Sequence, residues 1–275
     1  MKLIAVSGAT GQQGGAVAKH LLARGFAVRA LTRSPAKADA LHSVGAQVAA
    51  CDLSDRDSVA RALEGVHGVF SVQTPFEKGV EAEVAQGRAL ADAARDAKVV
   101  HFVYSSVASA DKNTGIPHFE SKWEIEKYIR AVKLPATVLR PVYFMENWMR
   151  FQGDSIRQGV IAQPLAPQTR LQQIAVDDIG GIAALAFSQP EQWIGRELDV
   201  AGDEPTMHET AEAFSEALGH PVGYLQVPWD QFQQYAGHEM TVMYRWFQDV
   251  GYSADIEALR RVYPELQTLR KHLYV

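Results

Sequence analysis

The chain has a single cysteine, Cys51, among its 275 residues. One thiol excludes an internal disulfide and any cysteine-rich zinc site. The nine histidines show no metal-ligand spacing either, so we expect no metal ion. This cysteine usage is typical of a reducing compartment and predicts a cytoplasmic protein.

Long hydrophobic runs are also missing. The apolar run near the N-terminus, Leu3–Val6, is far shorter than the core of a signal peptide. No later run approaches the length of a membrane-spanning helix. We therefore expect neither secretion nor insertion into a membrane.

Positive charge is not in excess. The 27 Lys and Arg residues are outnumbered by 32 Asp and Glu residues, and they are scattered along the chain. Direct nucleic-acid binding requires a basic surface, and so does attraction to an anionic membrane. We therefore expect neither a nucleic acid nor a membrane as a partner, and no oligomeric state is predicted.

Short β-branched runs alternate with longer helical patterns in the first half of the chain. This alternation indicates βαβ units, and it predicts an α/β fold with a Rossmann-type doubly wound parallel sheet. Strands are predicted near residues 2–7, 26–32, 47–51, 68–73, 99–104 and 136–140. Helices are predicted near residues 12–24, 35–43, 55–64, 78–97 and 118–132. Ser54, with Asp57 three residues later, predicts a capping box at the start of the third helix.

The pattern changes after Pro141. An aromatic stretch at 143–151 and a Gln/Pro-rich segment near 163–173 precede a further mixed α/β pattern. We therefore divide the chain into a dinucleotide-binding Rossmann domain at 1–141 and a smaller C-terminal α/β lobe at 142–275, interleaved at their edges. The lobe is expected to face a substrate or a partner, because ligands of open α/β sheets bind at the carboxyl ends of the strands.

A glycine-rich turn follows the first predicted strand, with the sequence Gly8-Ala9-Thr10-Gly11-Gln12-Gln13-Gly14. Gly8 can take a positive φ, Gly11 has no Cβ to block a pyrophosphate, and Gly14 allows helix and strand to pack closely. The helix N-terminus that follows favours phosphate. The spacing is GxxGxxG instead of GxGxxG, and the alternative is a merely flexible turn. The position after a first strand favours a dinucleotide site.

The end of the second strand distinguishes NADP(H) from NAD(H). NAD-binding proteins place an acid there to hold the ribose 2′-hydroxyl, but this chain has Leu31-Thr32-Arg33-Ser34. Arg33 can bind a 2′-phosphate bidentately, and Lys37 can add a second positive charge. The alternative is a solvated surface arginine. We predict NADP(H) as the cofactor.

Asp52 and Leu53 follow the third predicted strand. The carboxylate of Asp52 can accept a hydrogen bond from the adenine amino group, while Leu53 can cover the ring. An ordinary loop is an equally good interpretation of Asp52.

The chain resembles the NmrA-like group of atypical short-chain dehydrogenase/reductase proteins. The matching segments are the glycine-rich turn, Thr32–Pro35, Asp52–Leu53, Glu83–Gly87, Tyr104-Ser105-Ser106, His118–Lys122, Leu139–Pro141, Tyr143–Phe144 and Glu146–Asn147. The resemblance implies that Thr74, Pro75, Lys122 and the segment 143–147 approach the nicotinamide half of the cofactor. On this basis we assign Ser105, Tyr143, Phe144 and Asn147 to the cofactor site.

The usual catalytic tyrosine of short-chain dehydrogenases is missing. That tyrosine stands four residues before a lysine, so that the ammonium lowers its pKa. Here Lys122 is present, but His118 occupies the tyrosine position. We predict that Lys122 holds the nicotinamide ribose, and that His118 either supplies a proton or is an ordinary helix-start histidine. Serine-hydrolase, Walker and zinc-protease motifs are absent.

An aromatic stretch at 229–252 includes Met240, Met243, Tyr244 and Phe247 on one helix face. This face is either core of the small lobe, which periodic apolar residues usually form, or a wall for a flat substrate. Two functions follow from the resemblance. One is an NADPH-dependent reductase of quinones or dyes, as the family's bacterial enzymes suggest. The other is a non-enzymatic NADP(H) redox sensor that acts through a protein partner, as other branches suggest.

Overall fold

The computed structural model describes residues 1–274, with the side chain of Lys37 left out. Its centre is a seven-stranded parallel sheet, which confirms the predicted Rossmann-type α/β fold. In spatial order the strands are Gln47–Ala50 (β3), Ala27–Thr32 (β2), Leu3–Val6 (β1), Gly68–Ser71 (β4), His101–Ser105 (β5), Ala136–Pro141 (β6) and Glu197–Val200 (β10). The strand order reverses between β1 and β4, so a crevice for a ligand is expected at their carboxyl ends.

Helices cover both faces of the sheet. One face carries Gln12–Ala23 (α1) and Val176–Ser188 (α7), and the other carries Arg56–Ala62 (α3), Val80–Asp96 (α4) and Pro117–Ala131 (α5). Asp39–Ser43 (α2) and Pro190–Trp193 (α8) are short connecting helices. Small residues let α1 and α7 approach closely, since a Cβ at Gly180 would lie 2.7 Å from the Ala16 carbonyl carbon.

Successive side chains of each strand point to opposite faces of the sheet, so the strands contribute to two hydrophobic cores. Ile4 and Val6 pack beneath α1 and α7, whereas Ala5 points to the opposite face with Val69. All four side chains are fully buried. The sheet is therefore covered on both sides, as the near-continuous apolar strands predict.

The second lobe has a separate core between short strands and helices. Its elements are Tyr143–Phe144 (β7), Glu146–Arg157 (α6), Val160–Gln163 (β8), Gln173–Ile174 (β9), Met207–Leu218 (α9), Gly223–Gln226 (β11), Trp229–Asp249 (α10), Ile256–Val262 (α11) and Leu269–Leu273 (α12). Two elements that lie between these in the sequence belong to the central sheet instead. The helix α7 packs on one face of the sheet, and β10 pairs with β6 at its edge. The two proposed domains are thus interleaved through residues 176–200. None of the helices in residues 1–274 is both long and apolar enough to cross a membrane.

The cap of α3 differs from the prediction. Asp55, not Ser54, is the N-cap, and its carboxylate accepts hydrogen bonds from the backbone N–H groups of Asp57 (3.0 Å) and Ser58 (3.3 Å). The N–H of Ser54 instead donates to Asp52 Oδ1. The prediction was wrong by one residue because both side chains are good caps and the helix begins only at Arg56.

A buried histidine makes the fold sensitive to acid. His101 is 1% exposed, and burial lowers its pKa to about 4 from 6.5. The Thr137 hydroxyl donates to the Trp193 carbonyl, so it accepts from His101 Nε2–H at 2.8 Å. His101 Nδ1 is buried without a partner among residues 1–274. Protonating it would therefore bury an unsatisfied charged donor.

We expect the free energy of unfolding to fall by up to about 3 kcal/mol from this group alone as the pH drops from 6.5 to 4. The folded pKa lies below the unfolded one, so the stabilisation is complete above pH 6.5 and is lost toward pH 4. Urea unfolding of wild type and His101→Gln at both pH values measures this, because the variant lacks the titration. An equal pH-dependent loss in both proteins would contradict the assignment.

Candidate functional site

A large cleft opens at the carboxyl ends of the central strands. Its volume is about 1500 Å³, and both the glycine-rich turn and the second lobe line it. Pockets for one small ligand usually measure about 300–1,000 Å³. The cleft can therefore hold two ligands side by side.

In the glycine-rich turn, the backbone at Gly14 lies very close to the backbone at Gly8. Gly8 has φ of +60°, and a Cβ at Gly14 would lie 2.3 Å from the Gly8 carbonyl oxygen, so no other residue fits at position 14. Gly11 donates to the Gly8 carbonyl at 2.8 Å and precedes α1, whose N-terminus has no side-chain cap. The free N–H groups and the helix dipole at this end favour an anion.

Most of the predicted site residues lie together in the cleft. Its lining includes Gly8, Thr10, Gly11, Gln12, Gln13, Gly14, Arg33, Asp52, Leu53, Thr74, Pro75, His118, Lys122, Tyr143, Phe144 and Asn147.

Three predicted residues are not part of the described lining. Ala9 is buried in the core. Ser105 is fully buried, and its hydroxyl donates to Gln13 Oε1 at 2.5 Å, so it supports the turn from behind. The strand ends one residue before the cleft wall, which Ser106 and Val107 form, so the assignment of Ser105 to the cofactor site stays a prediction. The side chain of Lys37 lies outside the described part of the chain.

The side chain of Arg33 is partly exposed and forms an ion pair with Glu77. Its Nη2 lies 2.6 Å from Oε2 of Glu77, in the loop after β4, and both side chains are about half exposed (53% and 54%). Asp52 lies nearby, and the N–H of Ser54, helped by Lys78 and Arg33, lowers the pKa of its carboxyl. This end of the cleft thus carries a small group of alternating charges.

Lys122 lies deep in the cleft beside a buried carboxylate. Its ammonium donates to Glu83 Oε1 at 2.5 Å and to the Gln73 carbonyl at 3.3 Å. Glu83 is fully buried and also accepts from the Ser121 hydroxyl. An ammonium has three donors, so one N–H of Lys122 remains for a ligand.

His118 forms a bridge between the two lobes. Its Nδ1 lies 2.6 Å from Oε1 of Glu239 on α10. A carboxylate only accepts, so Nδ1 carries the proton and Nε2 has the lone pair when the ring is neutral. Burial lowers the pKa of His118, and the Glu239 carboxylate opposes that shift only in part. The ring is therefore neutral at pH 7.

The α10 helix forms an apolar wall over the cleft. It is broken at Gly237, which has φ of +83°, and the following turns carry Met240, Met243, Tyr244 and Phe247. Tyr244 and Phe247 are buried in the lobe core, yet all four side chains line the cleft. This face is therefore core of the second lobe at Tyr244 and Phe247 and also borders the cleft, while its role as a wall for a substrate stays a prediction.

Some polar atoms in the cleft wall have no partner within residues 1–274. They belong to side chains that are at least nine-tenths buried, namely Gln73 Oε1, Ser106 Oγ and Gln163 Oε1. Buried polar groups are normally hydrogen-bonded, so these atoms are suited to meet a ligand. Of the three residues, only Ser106 lies in a segment that carries the family resemblance.

Other functional candidates also come only from the structure. Glu77 and Glu239 pair with predicted residues from distant segments, and Arg150 of α6 donates to Gln12 Oε1 at 3.0 Å, at the first residue of α1. None of these three residues had a signal in the sequence, whereas Glu83, the partner of Lys122, lies in a segment that carries the family resemblance.

Comparison with known proteins agrees with this architecture. The model of the NmrA-like family matches residues 1–271. An NAD(P)H azoreductase of Xenophilus azovorans is 30% identical over 233 residues, which cover 84% of this chain and 79% of that protein. The NADPH complex of an NADPH-dependent quinone oxidoreductase of Escherichia coli has a TM-score of 0.83 at 25% identity and covers 98% of both chains.

A regulator shares the same fold. The structure of NmrA, a negative transcriptional regulator, in complex with NADP has a TM-score of 0.80 at 23% identity, over 99% of this chain and 94% of that one. Enzymes and a regulator thus occur among the proteins similar to this chain. The match of the family model over residues 1–271 shows that the chain belongs to the NmrA-like family of NAD(P)H-binding, reductase-related proteins.

Proposed function

We propose that this protein is an NADPH-dependent reductase of a flat, electron-poor acceptor such as a quinone or a dye. The observation that carries the proposal is that one continuous cleft contains both the glycine-rich turn and the apolar wall of α10. The names of the azoreductase and the quinone oxidoreductase support the same chemistry.

The residues of the cleft fit NADP(H) along its length. The turn, where position 14 has no room for a Cβ, and the uncapped end of α1 would hold the pyrophosphate. Arg33 would bind the 2′-phosphate, and Asp52 with Leu53 would contact the adenine. Thr74, Pro75, Lys122, Tyr143, Phe144 and Asn147 would surround the nicotinamide half, with the unused N–H of Lys122 donating to its ribose.

The aromatic and thioether side chains of α10 would cover the acceptor. Phe232, Met243 and Phe247 line the cleft. They would bury an aromatic ring of the acceptor against apolar surface, which excludes water and favours flat molecules. The orphaned Ser106 and Gln163 atoms offer hydrogen bonds at the edge of this space.

The reaction needs little acid catalysis from the protein. Bound NADPH supplies a hydride, and a quinone that accepts it needs one further proton to become a hydroquinone. A neutral His118 has its proton on the Glu239 side, so solvent supplies that proton near pH 7, and His118 becomes a donor only in more acidic solution. Ketones and simple alcohols, which depend on a tyrosine acid or base, should not react.

The test is NADPH oxidation by purified protein across a panel of quinones and dyes, followed by absorbance under anaerobic conditions. We expect at least one acceptor to increase the rate saturably above the enzyme-only and acceptor-only controls. NADP⁺ with simple alcohols should give no reduction. Saturable cofactor binding without any acceptor-dependent oxidation would contradict the reductase proposal.

A second function, an NADP(H) sensor acting through a protein partner, has one feature in its favour. Phe76, Phe151 and Tyr235 are 70%, 70% and 64% exposed at the mouth of the cleft, where a partner could contact them. The sensor requires that no acceptor is reduced, while NADP(H) changes protease sensitivity by shifting the population of two conformations.

A further inference from the structure

The ion pair between Arg33 and Glu77 spans the adenosine end of the cleft. Arg33 follows β2, and Glu77 belongs to the loop after β4, two strands away in the sheet. Their side chains meet at 2.6 Å, and both line the cleft. The second strand lacks the acid that NAD-binding proteins use, but the loop after β4 supplies a carboxylate that contacts Arg33 just after this strand.

This carboxylate affects the two nicotinamide cofactors differently. A 2′-phosphate is an anion that would bind the same guanidinium, so it must displace Glu77 or bind beside a like charge. The 2′-hydroxyl of NADH is neutral and can donate to a carboxylate. Glu77 therefore opposes NADPH and tolerates NADH.

Among the side chains that the structure describes at this end, Asp52 and Glu77 are negative and Arg33 and Lys78 are positive, so this group of four has no net charge. Without the Glu77 charge, it carries one net positive charge toward the phosphate.

We propose that Glu77 is a specificity-determining residue, whose carboxylate competes with the cofactor 2′-phosphate for Arg33 and thereby limits the preference for NADPH over NADH. The inference rests on the proposed binding of NADP(H). Glu77 makes the protein less selective for NADPH than Arg33 alone would, so that NADH remains a usable cofactor.

The experiment compares the dissociation constants of NADPH and NADH for wild type and Glu77→Gln by calorimetry at low and high salt. We expect Glu77→Gln to bind NADPH about three- to fivefold more tightly at low salt, with NADH changed little, and the difference to shrink at high salt. Glu81→Gln is the matched control, because Glu81 is an exposed acid at the start of α4 that does not line the cleft.

The outcomes separate this inference from the proposed function. If wild type binds NADPH but Glu77→Gln leaves the NADPH-to-NADH ratio unchanged or lowers it, the role of Glu77 is wrong while the cofactor assignment stands. If wild type binds neither nucleotide, both the proposed function and this inference fail.

Discussion

Replacing Arg33 with Asp should reverse the cofactor preference from NADPH to NADH. The wild-type guanidinium would make charge-assisted hydrogen bonds with the 2′-phosphate, and each such contact contributes about 1.5–3 kcal/mol. Its loss should weaken NADPH binding by roughly 10- to 100-fold. The introduced carboxylate can instead accept a hydrogen bond from the ribose hydroxyl of NADH.

Two companion variants make the measurement interpretable. The carboxylate of Arg33→Asp would face Glu77, so Arg33→Gln removes the cation without adding a like charge next to it. Arg61→Asp changes the net charge by the same amount on an exposed turn of α3 that does not line the cleft. An unchanged ratio of NADPH to NADH affinity in Arg33→Gln, measured by calorimetry, would show that Arg33 has no role in the choice.

Lys122→Ala should lose both stability and cofactor affinity. The substitution leaves Glu83, which is fully buried, without its cation, and an uncompensated buried charge typically costs about 3–5 kcal/mol. It also removes the N–H that would donate to the nicotinamide ribose. Thermal unfolding and NADPH titration measure the two losses separately.

A double variant distinguishes the ligand contact from the structural pair. Lys122→Met with Glu83→Gln removes both charges, so the folding penalty should largely disappear while cofactor binding or turnover stays impaired. His118→Ala is the comparison from the same helix, and it should affect NADPH affinity less, because His118 faces Glu239 across the lobes. Wild-type affinity and wild-type turnover in the stable double variant would make Lys122 a purely structural residue.

The fold and the glycine-rich turn could be predicted because their constraints are local. The glycine-rich turn needs its small residues within seven positions, and its conformation follows from Gly8 and Gly14 alone. The first six strands are apolar runs bounded by helical patterns. The seventh strand, β10, is only four residues long and contains two acids, so its pattern was too weak to place it at the edge of β6.

The partners of the site residues could not be predicted, because they come from distant parts of the chain. Glu77 lies 44 residues from Arg33, and Glu239 lies 121 residues from His118. Only the packing of strands and lobes brings them together. The sequence could not distinguish Ser105 from Ser106 as the residue that lines the cleft, because β5 is buried on both faces and has no alternation that marks its exposed end.

The most direct test of the account is a single-turnover reaction between the NADPH-loaded protein and the best acceptor of the panel. Stopped-flow absorbance would follow NADPH, and product analysis would count the reduced acceptor. The account predicts a rapid loss of bound NADPH, with one acceptor molecule reduced for each NADPH oxidised. Stable bound NADPH in the presence of saturating quinones and dyes would contradict the reductase proposal and favour the sensor.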